Sequence, residues 1–96
     1  MIKKVFVTRL IPESGINLLK SCCEVRVFSR DEVIPSAEML RGVKWCDGLL
    51  CLLTDRIDEE VITANPNLKV ISNYAVGFDN IDIKAATKRN ILVTNT

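Results

Sequence analysis

The sequence predicts an α/β domain built on a parallel sheet of about five strands. Three observations carry that expectation. Short apolar runs recur along the chain, and between them lie stretches with helical spacing and helix start and stop signals. The run Gly48-Leu-Leu-Cys-Leu-Leu53 has no polar alternation, which fits a strand covered on both faces. Finally, 96 residues make one domain at most, with one modest core. Strands and helices that alternate in so short a chain are most simply joined as successive crossover units of one sheet.

Val5 to Thr8 is the first strand, apolar enough for an inner position. Pro12 suits the first turn of a helix carrying Ile16, Leu18 and Leu19 inward. Val25, Val27 and Phe28 form a second strand, and Glu24 and Arg26 alternate with them as on an edge. Pro35 and Ser36 introduce a short helix with Ala37, Met39 and Leu40 facing inward and Gly42 weakening its end. After the third strand, Asp58 caps a helix whose first turn holds Glu59 and Glu60, where negative charge is favoured. Val61, Ile62 and Ala64 supply its apolar side, and Pro66 stops it. Lys69 to Asn73 is the fourth strand.

Beyond that strand, Asp79 or Asp82 can cap the fourth helix, and Asp82 is the better placed. Ile83, Ala86 and Thr87 face the sheet, Lys88 and Arg89 occupy the last turn, and Asn90 suits a left-handed stop. Ile91 to Thr94 begins a fifth strand. A domain ending at the mouth of a strand leads to the expectation that residues 1–96 are the first part of a longer, truncated chain.

Composition excludes several function classes. Thirteen basic against twelve acidic residues give a formal charge of +1, with no field to favour nucleic acid or an anionic membrane. No apolar run is long enough for a membrane helix, and Met1 to Thr8 lacks the cleavage site of a signal peptide, so the expected compartment is cytoplasmic. With no histidine, serine and cysteine triads are excluded. The four cysteines have no zinc-ligand spacing; Cys51 reads as a buried thiol, and Cys46 is too far along the same strand to bridge it. Glycines stand only at 15, 42, 48 and 77, so neither a dinucleotide fingerprint nor a phosphate-binding loop exists here. No residue is assigned to catalysis, cofactor or metal.

What remains is the set of loops after the strands: Thr8-Arg9-Leu10, Leu53-Thr54-Asp55-Arg56 and Tyr74-Ala75-Val76-Gly77. In open α/β sheets such loops receive ligands. Gly77 reads as a turn glycine, and the consecutive amides of Val76 and Gly77 read as a nest able to donate two hydrogen bonds to one carboxylate. The two readings are compatible. Arg9 and Arg56 are either solvated or a source of positive potential over the sheet. Tyr74 either seals the loop base or lies beside a ligand, and Trp45 is a core or interface anchor.

Three segments carry a resemblance: Lys4-Val-Phe-Val-Thr-Arg-Leu-Ile-Pro12, Asp47-Gly-Leu-Leu-Cys-Leu-Leu-Thr-Asp-Arg56 and Leu68-Lys-Val-Ile-Ser-Asn-Tyr-Ala-Val-Gly-Phe-Asp-Asn-Ile-Asp82. Together they resemble the D-2-hydroxyacid dehydrogenase family, in its glyoxylate/hydroxypyruvate reductase branch. Ile91-Leu-Val-Thr-Asn-Thr96 is similar to the family's crossover into its second domain. The resemblance implies a flavodoxin-like, three-layer fold for residues 1–96, as the N-terminal portion of a substrate-binding domain. It implies that the full-length parent is an oxidoreductase using NADH or NADPH, reducing a small 2-oxo acid to the 2-hydroxy acid and dimerising through a nucleotide-binding domain absent from this chain. On the same resemblance, the Val76 and Gly77 amides hold the substrate carboxylate, and Leu53 and Thr54 wall the small substrate. The cofactor fingerprint and the catalytic residues have no counterpart here, so this portion alone is expected to bind no cofactor and to be inactive. The competing reading is a standalone flavodoxin-like binding or interaction module without catalysis; a glycine-rich fingerprint beyond Thr96 would discriminate them.

Overall fold

The computed structural model describes residues 3–95. Strand and helix alternate strictly: β1 (Lys3–Val7), α1 (Glu13–Lys20), β2 (Cys23–Val27), α2 (Ser36–Trp45), β3 (Gly48–Leu52), α3 (Glu59–Thr63), β4 (Val70–Tyr74), α4 (Ile83–Lys88) and β5 (Leu92–Asn95). All five strands pair in parallel in one sheet, in the order β2-β1-β3-β4-β5. That is the doubly wound order of flavodoxin-like domains, whose winding reverses between β1 and β3. The α/β class read from the sequence is the observed one, with β1 inside and β2 at an edge.

Right-handed crossovers place α1 on one face of the sheet and α2, α3 and α4 on the other. Burial follows the pleat. Phe6, Leu49, Cys51 and Ile71 pack with Met39, Val43, Val61, Ile62, Ala85 and Ala86 into a single core on the three-helix side. Val7 and Ile16 are buried outside that cluster, which is the α1 side. There the sheet is only partly covered: Leu50, Val70 and Ser72 are half-buried, and Tyr74 and Leu92 are exposed.

The cap signals act as read. Asp58 accepts a hydrogen bond from Val61 N at 3.1 Å, Asp82 accepts one from Ala85 N at 3.0 Å, and Asn90 takes a left-handed φ of 57°. Pro12 and Pro35 sit at the N-cap positions themselves, one residue before the first turn.

Four side chains expected to face inward are exposed instead: Leu18, Ala37, Ile83 and Thr87. Helix phase explains this. Once Ile16 in α1 and Ile81 before α4 point inward, the same stripe returns at Leu19 and at Ala85, leaving Leu18 and Ile83 turned away.

Gly42 does not weaken the end of its helix, because α2 continues to Trp45. It lies against the Phe6 ring, where an added Cβ would overlap aromatic carbons. The C-terminal carbonyls of α2 are satisfied from outside: Asn65 donates from Nδ2 to the carbonyls of Val43 and Cys46 at 2.7 and 2.6 Å.

Candidate ligand-binding edge

Because the strands are parallel, the loops after β1, β3 and β4 emerge along the same edge of the sheet. Val7 pairs with Leu50, and β3 runs on until Leu52 pairs with Tyr74. The Thr8–Arg9 loop therefore lies beside the Leu53–Arg56 loop, which lies beside the Ala75–Phe78 loop. This is the carboxyl edge at the switch point, where open α/β sheets receive ligands.

Gly77 has φ of +93°, which L-residues adopt only with strain. No atom lies within 4 Å of where its Cβ would be, so the glycine serves backbone conformation and not packing. Val76 is 87% exposed. Among the described residues, neither the Val76 nor the Gly77 amide donates to a protein acceptor. Two consecutive uncommitted N–H groups on such a turn are the ingredients of an anion nest. Leu53 and Thr54 form the crest of the neighbouring loop, a turn closed by Asp55 N donating to Leu52 O at 2.9 Å, and both are exposed.

The supports beneath these loops escaped the sequence reading. Thr8 Oγ1 donates to Asp55 Oδ2, which also accepts from Leu52 N at 2.9 Å; Thr8 and Asp55 are both buried. Next to this contact, Arg9 Nη2 donates to Thr54 Oγ1 at 3.0 Å. Two successive residues of one loop thus hold two successive residues of the other. The Arg9 Nε donor and the Asp55 Oδ1 acceptor are buried without a protein partner.

A second network joins β3 to β4. Asn73, 1% exposed, donates from Nδ2 to Gly77 O at 3.0 Å and to Asn80 Oδ1 at 2.8 Å. Asn80 Nδ2 donates to Leu52 O and Asp55 O at 3.0 Å each, and approaches Asn73 Oδ1 at 3.2 Å. An asparagine closing an apolar strand and an aspartate three residues beyond another were the available signals, since buried polar groups are nearly always hydrogen-bonded.

Other candidates lie elsewhere or in a different state. The Arg56 side chain is exposed and pairs loosely with Asp58 at 3.7 Å. Tyr74 is exposed at the end of β4. Trp45 sits at the opposite edge of the sheet, half-buried, with the Arg26 guanidinium 4.2 Å and the Lys4 ammonium 5.8 Å from its ring centroid.

All four cysteines are free thiols. Burial pushes Cys46 and Cys51 up to about 12, and the Asp55 charge adds to the effect at Cys51. Neither is a thiolate nucleophile near neutral pH. Among the described residues no cluster of His, Cys, Asp or Glu could hold a metal, and no helix is long and apolar enough to cross a membrane.

Sheet order puts this chain among the doubly wound α/β domains, a class whose ligands commonly lie outside the carboxyl ends of the strands. Residues 5–96 match the family described as D-isomer specific 2-hydroxyacid dehydrogenase, catalytic domain, and the chain belongs to that family. A glyoxylate reductase of Thermofilum pendens is 60% identical over 94 residues, covering 97% of this chain and 28% of the relative. The crystal structure of a Thermus thermophilus protein superposes with a TM-score of 0.86 at 41% identity, covering 94% of this chain and 29% of that one. An NAD+-bound 3-phosphoglycerate dehydrogenase of Entamoeba histolytica superposes with a TM-score of 0.82 at 29% identity, over 100% of this chain and 33% of its own. The chain thus spans no more than about a third of the length of these relatives.

Proposed function

We propose that residues 1–96 are the N-terminal portion of the substrate-binding domain of an NAD(P)H-dependent reductase of small 2-oxo acids, glyoxylate or hydroxypyruvate. Their part is to hold the substrate carboxylate. The observation that supports this best is the pair of uncommitted amides at Val76 and Gly77, presented by a positive-φ turn on the switch-point edge. A carboxylate there accepts two charge-assisted hydrogen bonds, each roughly twice as strong as a neutral one. Such a grip fixes the acid end and so aims the 2-oxo carbon in one direction. Leu53 and Thr54 stand beside it as the wall that limits substrate size and excludes water.

The nicotinamide cofactor supplies the hydride when bound. Gly15, Gly42, Gly48 and Gly77 lie in α1, α2, β3 and the loop after β4, and do not converge on a phosphate cradle, so no residue here is assigned to it. Its site, the proton donor and the dimer contacts belong to the nucleotide-binding domain of the full-length parent.

The test is a crystal structure of the full-length reductase with oxamate bound, together with its turnover of glyoxylate and hydroxypyruvate. A carboxylate about 2.7–3.2 Å from both amides is the expected result. A ligand contacting neither amide, or an enzyme that reduces neither acid, overturns the reading.

A further inference from the structure

We infer that Asn80 is a positioning residue that locks the Gly77 turn to the Leu53–Thr54 loop, so that carboxylate nest and substrate wall act as one rigid unit. The inference rests on the function proposed above and adds a residue that touches no substrate.

The ladder between β3 and β4 ends at Leu52 and Tyr74, and past that point the two loops share no strand pairing. Asn80, in the turn before α4, takes over. Its Nδ2 reaches the carbonyls of Leu52 and Asp55, at the two ends of the Leu53–Thr54 turn. Its Oδ1 accepts from Asn73, whose same amide nitrogen holds Gly77 O. The backbone reinforces the link: Ile57 N donates to Asn80 O at 2.8 Å, Asp82 N donates to Ile57 O at 2.9 Å, and Ile57 and Ile81 form an isolated parallel bridge.

Thr8 holds Asp55 from the far side, so one chain of contacts runs Thr8–Asp55–Asn80–Asn73–Gly77 across three loops. Fixing the carbonyl of Gly77 restrains the turn that carries the nest. Fixing both ends of the Leu53–Thr54 turn restrains the wall. A purely scaffolding asparagine would need to satisfy only its own loop, whereas Asn80 donates across to both ends of the loop after β3 and is tied to the Gly77 turn of its own loop through Asn73.

Asn80→Asp in the full-length reductase is the selective cut. The isosteric carboxylate still accepts from Asn73 Nδ2 but offers no N–H to Leu52 O or Asp55 O. The expected result is a rise of about tenfold in KM for glyoxylate, the scale of one hydrogen bond lost from the grip on the acid, with NAD(P)H affinity unchanged. In the crystal structure of the variant, residues 53–55 and 76–78 should both be displaced or carry B-factors raised above those of the rest of the domain. Ile62→Val, which shortens a buried side chain of α3, outside both loops, controls for lost stability and should leave KM alone. If Asn80→Asp does not fold, Asn80→Ser, which retains one hydroxyl donor, carries the same measurements.

An unchanged KM, displacement or raised B-factors in one loop only, or an equal KM rise in Ile62→Val overturns the inference. The proposed function fails separately: oxamate bound away from both amides removes the nest, whereas oxamate on the nest with a wild-type KM in Asn80→Asp removes only the role of Asn80.

Discussion

Replacing Gly77 by alanine isolates the backbone requirement of the nest. Nothing lies within 4 Å of the added Cβ, so no clash contributes and the whole effect is conformational. At φ of +93° an L-residue is disfavoured by ~1–2 kcal/mol. A strain of ~1 kcal/mol raises the population of a relaxed, negative-φ turn roughly fivefold. In that turn one peptide plane has rotated, and a charge-assisted hydrogen bond of about 1.5–3 kcal/mol is lost.

Gly77→Ala in the full-length reductase should therefore raise KM for glyoxylate several-fold and lower Tm slightly, with cofactor affinity unchanged. Gly77→Asn supplies the internal comparison, because asparagine enters positive φ more readily than alanine. Its KM should fall between wild type and the alanine variant. Steady-state kinetics with saturating cofactor, and cofactor titration by nicotinamide fluorescence, measure both quantities. If alanine and asparagine variants both keep wild-type KM and Tm, the turn does not need its positive φ and the nest loses its physical basis.

Three further outcomes follow from the packing and the buried thiols. Gly42→Ala should lower the urea midpoint, because displacing the Phe6 ring costs ~1–3 kcal/mol against a helix-propensity gain of about 1 kcal/mol; a higher midpoint would show that the ring moves freely. Thr8→Val keeps the volume but removes a buried donor from Asp55, at a cost of ~1–3 kcal/mol in denaturant unfolding; a loss under ~0.5 kcal/mol would mean the contact is replaced at no cost. In the native protein at about pH 8, maleimide should label exposed Cys22 rapidly and Cys46 and Cys51 only on unfolding, read by peptide mass spectrometry. The same thiols set an alkaline limit. Their folded values, about 12, lie above the ordinary 9.0, so their contribution is fully present below about pH 9 and is lost as pH rises toward 12. Cys51→Val should flatten part of that decline in urea midpoint between about pH 8 and 10.5, and an unaltered slope would contradict it.

Local chemistry made much of this domain legible from the residues alone. Asp58 and Asp82 begin their helices because a carboxylate beside free N–H groups is favoured wherever the rest of the chain lies, and Asn90 ends one because it tolerates left-handed backbone. Leu49 to Leu52 formed a central strand because an unbroken apolar run has no face to give to water. Gly77 was conspicuous because few positions need a residue without Cβ.

Tertiary structure decided the rest. Which of two nearby side chains, Leu18 or Leu19, Ile83 or Ala85, turns inward depends on where each helix meets the sheet, and helical spacing allows either. Gly42 reads as a weak helix end in the sequence because only the position of Phe6, far away in the chain, reveals the contact it makes possible. Asp55 and Asn80 look like ordinary loop polars, and Asn73 like a plain strand end, because distant partners define them: Thr8 for Asp55, Cys51 for Asn73, and Leu52 and Asp55 for Asn80. A hydrogen bond between distant residues is a property of the assembled edge: sequence supplies groups that must be satisfied, and only the parallel register of β1, β3 and β4 determines which of them meet.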